Sequence, residues 1–495
     1  MINSILQYLS NGLLNLEKES EKFYENPKDF TDFILKVKDN VLRLGIEIIG
    51  ENFETMDQNI RESNNRKKEW VIVRRDETSL LTSLGQVNYH KTLFKHKKTG
   101  ERCYLIDRLM ELEPHERITP DAVAQIYEEA VESSYRRGGE KASLLDGVSK
   151  QTVKNKIHKI EFPREPQIEV ERKKVRNLYV GADEDHVALQ FFNKKGDLTL
   201  NENEHKQNNC LSKLIYVYED RVNENIKSKR KKLVGTKYFS GVYEGTEANL
   251  ALWRSINEYI NVHYEIEEGG HIFLGGDGGR WIETGKSILG KQAIMILDEF
   301  HILKYVQAAT SHMGDSKDDS KDALFKAIRS ANKDEIFRLF DIFIDFARDE
   351  KDIKRICQSK EYLINNWVKI RNRKKYANEI HGCSAEGHVS HILSDRLSSR
   401  PMGWSKQGVH KMSQLRAYEA NGGDMLELAK YQRNVIPFDL QERKKVYSGQ
   451  DIITSEKKAR LQIERYYDKF EKTVAHEKAR KYVTMEFNFS SMRQI

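Results

Sequence analysis

The strongest constraint on this 495-residue chain is the order in which apolar segments recur between Arg176 and Phe300. NLYVGADEDHVALQFF, LSKLIYVYED and KYFSGVYEG read as three strands, rich in β-branched and aromatic residues. EANLALWRSINEYINVHY has helical spacing, and GGHIFLGGDGG reads as a buried strand ending in glycines. WIETGKSILG makes a short crossover, and QAIMILDEF is a last strand followed by a helix. Strands that alternate with helices in this way give an α/β core.

Three strands, a helix, a strand, a short crossover and a strand is the order of the ribonuclease H fold. The expected class is therefore α/β, a ribonuclease-H-like catalytic core interrupted by a helical insertion. Within it, Asp183 lies inside the first strand, where an acid needs compensation. Asp277 ends the buried strand among Gly275, Gly276, Gly278 and Gly279, which let a backbone or a phosphate approach closely. Glu386 begins a later helix, with Ser390 and Ser394 following at one-turn spacing. Three carboxylates in one site repel and take up protons unless a cation neutralises them. Oxygen ligands favour Mg²⁺ or Mn²⁺. Two such ions suit in-line displacement at a phosphodiester. Asp185, two residues along the same strand and on the same face, rivals Asp183.

The expected organisation is residues 1–68 helical, 69–112 a small β region, and 113–172 a helix-turn-helix-like DNA-binding region. Residues 173–301 form the first part of the core and 302–375 the helical insertion; 376–404 return to the core with Glu386, and 405–495 are charged and helical. Ile34, Val37, Val41, Leu44 and Ile48 recur at helical spacing, and a Thr99-Gly100 turn joins strands in the β region. In the third region a helix breaks at Gly138-Gly139, Asp146-Gly147 turns the chain, and Ser149 caps a last helix. That helix offers Lys150, Thr152, Lys154 and Lys156 to a DNA groove. Residues 136–176 hold 12 Lys/Arg against 6 Asp/Glu. Overall, 83 Lys+Arg against 76 Asp+Glu permits nucleic-acid binding without requiring it. No apolar run reaches a membrane span, the start lacks a signal-peptide pattern, and the four scattered cysteines fit a reducing cytosol.

Asp183, Asp277 and Glu386 on this element order resemble the Asp-Asp-Glu transposases. Asp298-Glu299-Phe300-His301 matches the C/D-x-x-H signature of their Mutator-like branch. The runs LYVGADEDHVALQ, FLGGDGGRWI, ILDEFHILKYV and SAEGHVSHILSDRLSSRPMGWS are similar to bacterial insertion-sequence transposases of the ISLre-two family. The resemblance implies a cytosolic, metal-dependent enzyme that binds double-stranded DNA, both its element's terminal repeats and the target. Asp183, Asp277 and Glu386 take the metal-ligand and catalytic roles; Asp298 and His301 are auxiliary, orienting DNA or tuning a ligand. Arg396 and Arg400, beside the Glu386 helix, are candidates to hold the DNA backbone, as are the basic runs Lys227–Lys232 and Lys369–Lys375. Synapsis of two DNA ends calls for a homo-oligomer, at least a dimer.

Competing motifs fail. ETGKS lacks the first glycine of a phosphate loop, because Arg280 stands there, and GGDGGRW has Trp281 where a dinucleotide fingerprint needs glycine. Two rivals stay open: a nuclease or resolvase of the same fold, and a non-catalytic repressor derived from a transposase.

Overall fold

A computed structural model describes residues 2–163, 171–190, 199–200, 206–225, 230–381, 385–400 and 402–434. Lys227, Lys229, Cys383 and the charged stretch beyond residue 434 lie outside the described residues. The chain divides into two units. Of the described residues, one comprises 2–126, 138–149 and 429–434; the other comprises those within 127–137 and 150–428.

In the first unit, helices α1 (Ile2–Glu25) and α2 (Phe30–Glu62) pack on each other. Strands β1 (Trp70–Leu81), β2 (Gln86–His96) and β3 (Arg102–Tyr104) form an antiparallel sheet. The turn at Thr99-Gly100 closes β2 onto β3, with Gly100 at φ 73°. The helical and β segments share one core. Ile46, Ile49, Phe53, Met56 and Ile60 of α2 pack against Trp70, Val87, Tyr89 and Phe94 of the sheet. A polar clasp fixes the register of α2 on β2: buried Asp57 accepts from the Thr92 amide at 2.8 Å and the Thr92 hydroxyl at 2.6 Å. The outer part of the α2 stripe is not covered, since Ile34 and Val41 are each 52% exposed.

The second unit is built on a five-stranded mixed sheet. Its strands are β4 (Lys173–Ala188), β5 (Asn209–Tyr218), β6 (Lys237–Gly241), β7 (Tyr264–Gly276) and β8 (Ala293–Leu297), in the spatial order β6-β5-β4-β7-β8. β6 and β5, and β5 and β4, pair antiparallel; β7 runs parallel to both β4 and β8. Helix α3 (Lys150–His158) precedes the sheet, α4 (Gly245–His263) joins β6 to β7, and α5 (Arg280–Leu289) joins β7 to β8. Thus three strands, a helix, a strand, a short crossover and a strand follow in chain order, with the small hairpins Thr199–Gln207 and Asp220–Val234 inserted between the first three.

The sheet has two different faces, as the period-2 alternation of a strand requires. Leu178, Val180 and Ala182 point at α4 and α5, packing with Trp253, Ile256 and Ile282. Tyr179 points the other way, among Tyr216, Tyr218, Phe273 and Ala385. After β8 come α6 (Glu299–Thr310), α7 (Lys317–Arg329), α8 (Lys333–Asp345), α9 (Glu350–Asn365) and α10 (Trp367–Lys375). They share one core, to which α8 contributes the buried stripe Ile336, Phe340 and Phe343, with Ile344 and, just beyond the helix, Ala347 packed at its edge. Helix α11 (Ala385–Val389) returns the chain to the sheet, and α12 (Lys406–Ala420) packs on β6 and α3.

One local expectation is corrected. Gly138 and Gly139 do not break a helix; both are buried inside the helix Tyr135–Glu140, and the chain interrupts earlier, at Ser133-Ser134. The turn at Gly147 packs closely on that helix, because a Cβ on Gly147 would lie 2.9 Å from the Gly139 carbonyl oxygen.

The Asp57 clasp predicts a measurable loss. Asp57→Ala leaves the Thr92 amide and hydroxyl buried without an acceptor, so denaturant unfolding of the first unit should shift by about 1–3 kcal/mol or more. An unchanged unfolding midpoint would show that water replaces the carboxylate.

Candidate active site

Asp183 is on the face of β4 that meets α11, since it shares parity with Tyr179, and it is 6% exposed. Asp277 follows directly on the last residue of β7, the strand parallel to β4. Glu386 is the second residue of α11, and Ala385 beside it is buried against the same sheet face. The electrostatics of Asp183 reports their proximity. Burial, then the negative charges of Asp277 and Glu386, push its pKa up to about 7. The Glu184 amide, which donates to Asp183 Oδ1 at 2.9 Å, and the charge of His301 act against that rise.

His301 Nδ1 lies 3.3 Å from Asp298 Oδ2. Burial pulls the His301 pKa down, but the Asp298 bond and the charges of Asp183, Asp298 and Asp277 outweigh it and hold the imidazole above its usual value. Asp298 is 1% exposed, and its Oδ1 has no hydrogen-bond partner. His301 thus feels Asp183, Asp277 and Asp298, and Asp183 feels His301, Asp277 and Glu386. Burial and the charges of Asp277, Asp298 and Asp183 likewise raise the pKa of Tyr362, a residue that sequence reasoning missed.

Asp185, on the same face as Asp183, is engaged through one of its oxygens. It accepts from the Ser398 hydroxyl at 3.0 Å, tying β4 to the segment that follows α11. Between Glu386 and Ser398 the helix widens into a π turn at Ser390–Ser394, a local irregularity frequent at functional sites. Glu184, of opposite parity, points away from Asp183, toward Lys213 and Trp281.

The glycines around Asp277 are filled by the protein's own atoms. A Cβ on Gly276 would lie 2.9 Å from the Ala182 carbonyl oxygen and 2.7 Å from Ile282 Cδ1. Gly278, at φ 92°, faces Asn366 Oδ1 and Lys369 Nζ. The donor set suits a hard divalent ion: carboxylate oxygens, with Asp185 Oδ2 and Asp298 Oδ1 buried and unpartnered. Among the described residues, however, no three His, Cys, Asp or Glu side chains are gathered closely enough to hold a metal ion as they stand.

The expected DNA contacts divide. On α3, Lys150 and Lys154 are exposed, Thr152 and Lys156 are half-buried, and Val153 and Ile157 anchor the helix. Arg400 is exposed. Arg396 is corrected: it is 3% exposed, donates to the Ala130 carbonyl at 2.9 Å, and lies 4.7 Å over the Trp404 ring. Burial pushes its pKa down to about 10. Such a guanidinium is a packing element and cannot reach a phosphate. Within the run at α10, Lys369 is buried and Arg373 pairs with Glu299 at 2.7 Å, so those two cations serve the fold. His388 of α11 lies against the Tyr216 ring, with centroids 4.4 Å apart and planes tilted by 33°, and its Nδ1 is 3.0 Å from the Tyr238 hydroxyl.

Residues 24–434 match the uncharacterised protein family UPF0236. A UPF0236 protein of Caldanaerobacter subterraneus subsp. tengcongensis is 34% identical over 429 residues, 86% of this chain and 85% of the relative. A UPF0236 protein from the vanSb 3′ region of Streptococcus gallolyticus is 27% identical over 386 residues, 74% of this chain and 77% of the relative. Among solved structures, the Drosophila P element transposase strand transfer complex aligns over 68% of this chain and 83% of its own at 11% identity. Its TM-score is 0.22, a likeness that carries no argument.

Two outcomes are expected from this geometry. An acid with a folded pKa near 7 keeps a proton that the unfolded chain loses near pH 4, so stability falls as pH rises between those values. In EDTA, Asp183→Asn should therefore raise Tm at pH 8 by at least about 2 °C and do little at pH 4; a lower Tm at pH 8 would contradict the repulsion. Arg396→Met should cost about 1–3 kcal/mol of stability while leaving the salt slope of DNA binding unchanged. A shallower slope would return Arg396 to the DNA interface.

Proposed function

We propose that the chain, which belongs to the UPF0236 family, is a DNA transposase acting through Asp183, Asp277 and Glu386 with Mg²⁺ or Mn²⁺. The observation that carries this reading is the action of Asp277 and Glu386 on the buried Asp183 carboxyl, from a neighbouring strand end and a returning helix. The sheet order β6-β5-β4-β7-β8, antiparallel through its first three strands and parallel through its last, supports a ribonuclease-H-like core. The relatives add independent support. One carries a name that joins eleven loci of a single genome, and another joins four. A gene repeated in this way is what an enzyme that copies or moves its own coding element produces.

In this reading Asp183, Asp277 and Glu386 would hold the divalent ions, which would supply Lewis acidity for displacement at a phosphodiester. The chain's own part is positioning. β4 fixes Asp183 on a rigid sheet, the residue directly after β7 supplies Asp277, α11 brings the third acid, and Asp185 with Ser398 ties β4 to the segment behind it. His301, bonded to Asp298, has its pKa raised by that bond and by the charges of Asp183, Asp298 and Asp277. It can orient a phosphate or steady a ligand. The exposed face of α3, with Lys150 and Lys154, meets double-stranded DNA at element ends, Thr152 and Lys156 flank it, and Arg400 approaches the backbone near the acids. Joining two ends to a target calls for a homo-oligomer. No helix among the described residues is long and apolar enough to cross a membrane; a cytosolic site of action belongs to the same proposal.

The test is cleavage and strand transfer on labelled element-end DNA with Mg²⁺ or Mn²⁺. Wild type is expected to nick and join, while Asp183→Ala, Asp277→Ala and Glu386→Ala each lose at least about a hundredfold in rate and still bind the DNA. Cleavage without joined product on precut ends would favour a nuclease or resolvase. DNA binding with no cleavage in any protein would favour a repressor, and mutants as active as wild type would place the chemistry elsewhere.

A further inference from the structure

Asp277 lies one residue past the end of β7, where the ladder to β4 and β8 no longer holds the chain. There Asp277 Oδ1 accepts from the Gly279 amide at 2.7 Å, and the main chain is gripped from the helical insertion. Tyr362 on α9 donates its hydroxyl to the Asp277 main-chain carbonyl at 2.7 Å. One turn later, Asn366 donates to the Tyr362 carbonyl at 2.9 Å and accepts from Lys369 Nζ at 2.7 Å. Lys369 Nζ also donates to the Gly278 carbonyl at 3.3 Å and to Glu283 Oε1, at the start of α5, at 2.8 Å. Asn366 and Lys369 are 6% and 7% exposed. Gly278 lacks a side chain where Asn366 comes closest, with 2.2 Å between a Cβ there and Asn366 Oδ1.

The same tyrosine reaches the other half of the site. Its ring stacks on Tyr305 with centroids 3.7 Å apart and planes 15° apart. Tyr305 is one turn beyond His301 on α6. A buried lysine bonded to three acceptors, beside a tyrosine bonded to the main chain of an acid, exceeds what an insertion core needs for burial. Apolar residues would fill that volume without polar bonds to satisfy.

We propose that Tyr362 and Lys369 are positioning residues through which the helical insertion aims the Asp277 carboxylate at Asp183, and that they thereby set the affinity of the site for its divalent ion. The inference rests on the Asp-Asp-Glu reading above. The insertion is then a brace on the second acid, gripping the chain at Asp277 and at Gly278 and linking both to the helix that carries His301. Groups that orient metal ligands from behind typically change metal affinity by about 10–100-fold when removed.

The experiment is Mn²⁺ titration of the full-length protein by calorimetry, with wild type, Tyr362→Phe, Lys369→Met and Asp277→Ala, and Tm measured on each. Tyr362→Phe deletes one hydroxyl and keeps the ring stack, so it decides the matter even where Lys369→Met fails to fold. The expected result is a roughly tenfold weaker Mn²⁺ affinity in Tyr362→Phe, with DNA binding retained and cleavage recovered at raised Mn²⁺. Wild-type Mn²⁺ affinity in the folded Tyr362→Phe protein would overturn the brace while leaving the acids in place. Mn²⁺ binding by wild type that survives Asp277→Ala would overturn the Asp-Asp-Glu reading itself, and the brace with it.

Discussion

The site depends on how closely β7 approaches β4. Parallel pairing sets Gly275 opposite Gly181, and one residue further on, Gly276 leaves room for the Ala182 carbonyl. A side chain at that point would press both on the Ala182 carbonyl and on the Ile282 side chain. The close approach leaves Asp183 fixed within the sheet, while Asp277, one residue past β7, is held by the Gly279 amide and the Tyr362 hydroxyl. The glycines that look like room for a phosphate are therefore room for the protein itself.

Around that contact the charges are arranged by parity. Odd positions of β4 carry Asp183 and Asp185 to the α11 face, and even positions carry Glu184 toward Lys213 and Trp281. One strand thus supplies an acid that interacts with Asp277 and Glu386, an acid that anchors the returning helix, and an acid on the far side. Burial keeps the first from ionising readily by raising its pKa, and His301 acts against that rise. Helix, strand and insertion each contribute one part of the environment, which is why the acids sit so far apart in sequence.

Much of this was legible without coordinates. Strand order followed from period-2 and helical spacing, and the acids stood out because a carboxylate inside a run such as LYVGADEDHVAL has no reason to be there as filler. Asp185 could not be separated from Asp183, since alternation puts both on one face and only the Ser398 hydroxyl tells them apart. Arg396 misled because a cation near a candidate site reads as a phosphate ligand, whereas its neighbours Ala130 and Trp404 are 266 and 8 residues away in sequence. Tyr362 was hidden for the opposite reason: an aromatic residue on an amphipathic helix looks like core, and its one hydroxyl bond leaves no trace in a pattern. Gly138 and Gly139 look like a break, but buried packing keeps them helical.

The two units are interleaved along the chain. The first is assembled from three separate stretches, and its last described stretch begins at Ala429. Arg433 there pairs with Glu116 at 3.1 Å, across 317 residues of sequence. During synthesis the first unit must wait, incomplete, while the whole five-stranded sheet and its helices emerge from the ribosome. A chain cut short anywhere before that point leaves Glu116 without this partner, so a truncated product does not contain a finished copy of the first unit.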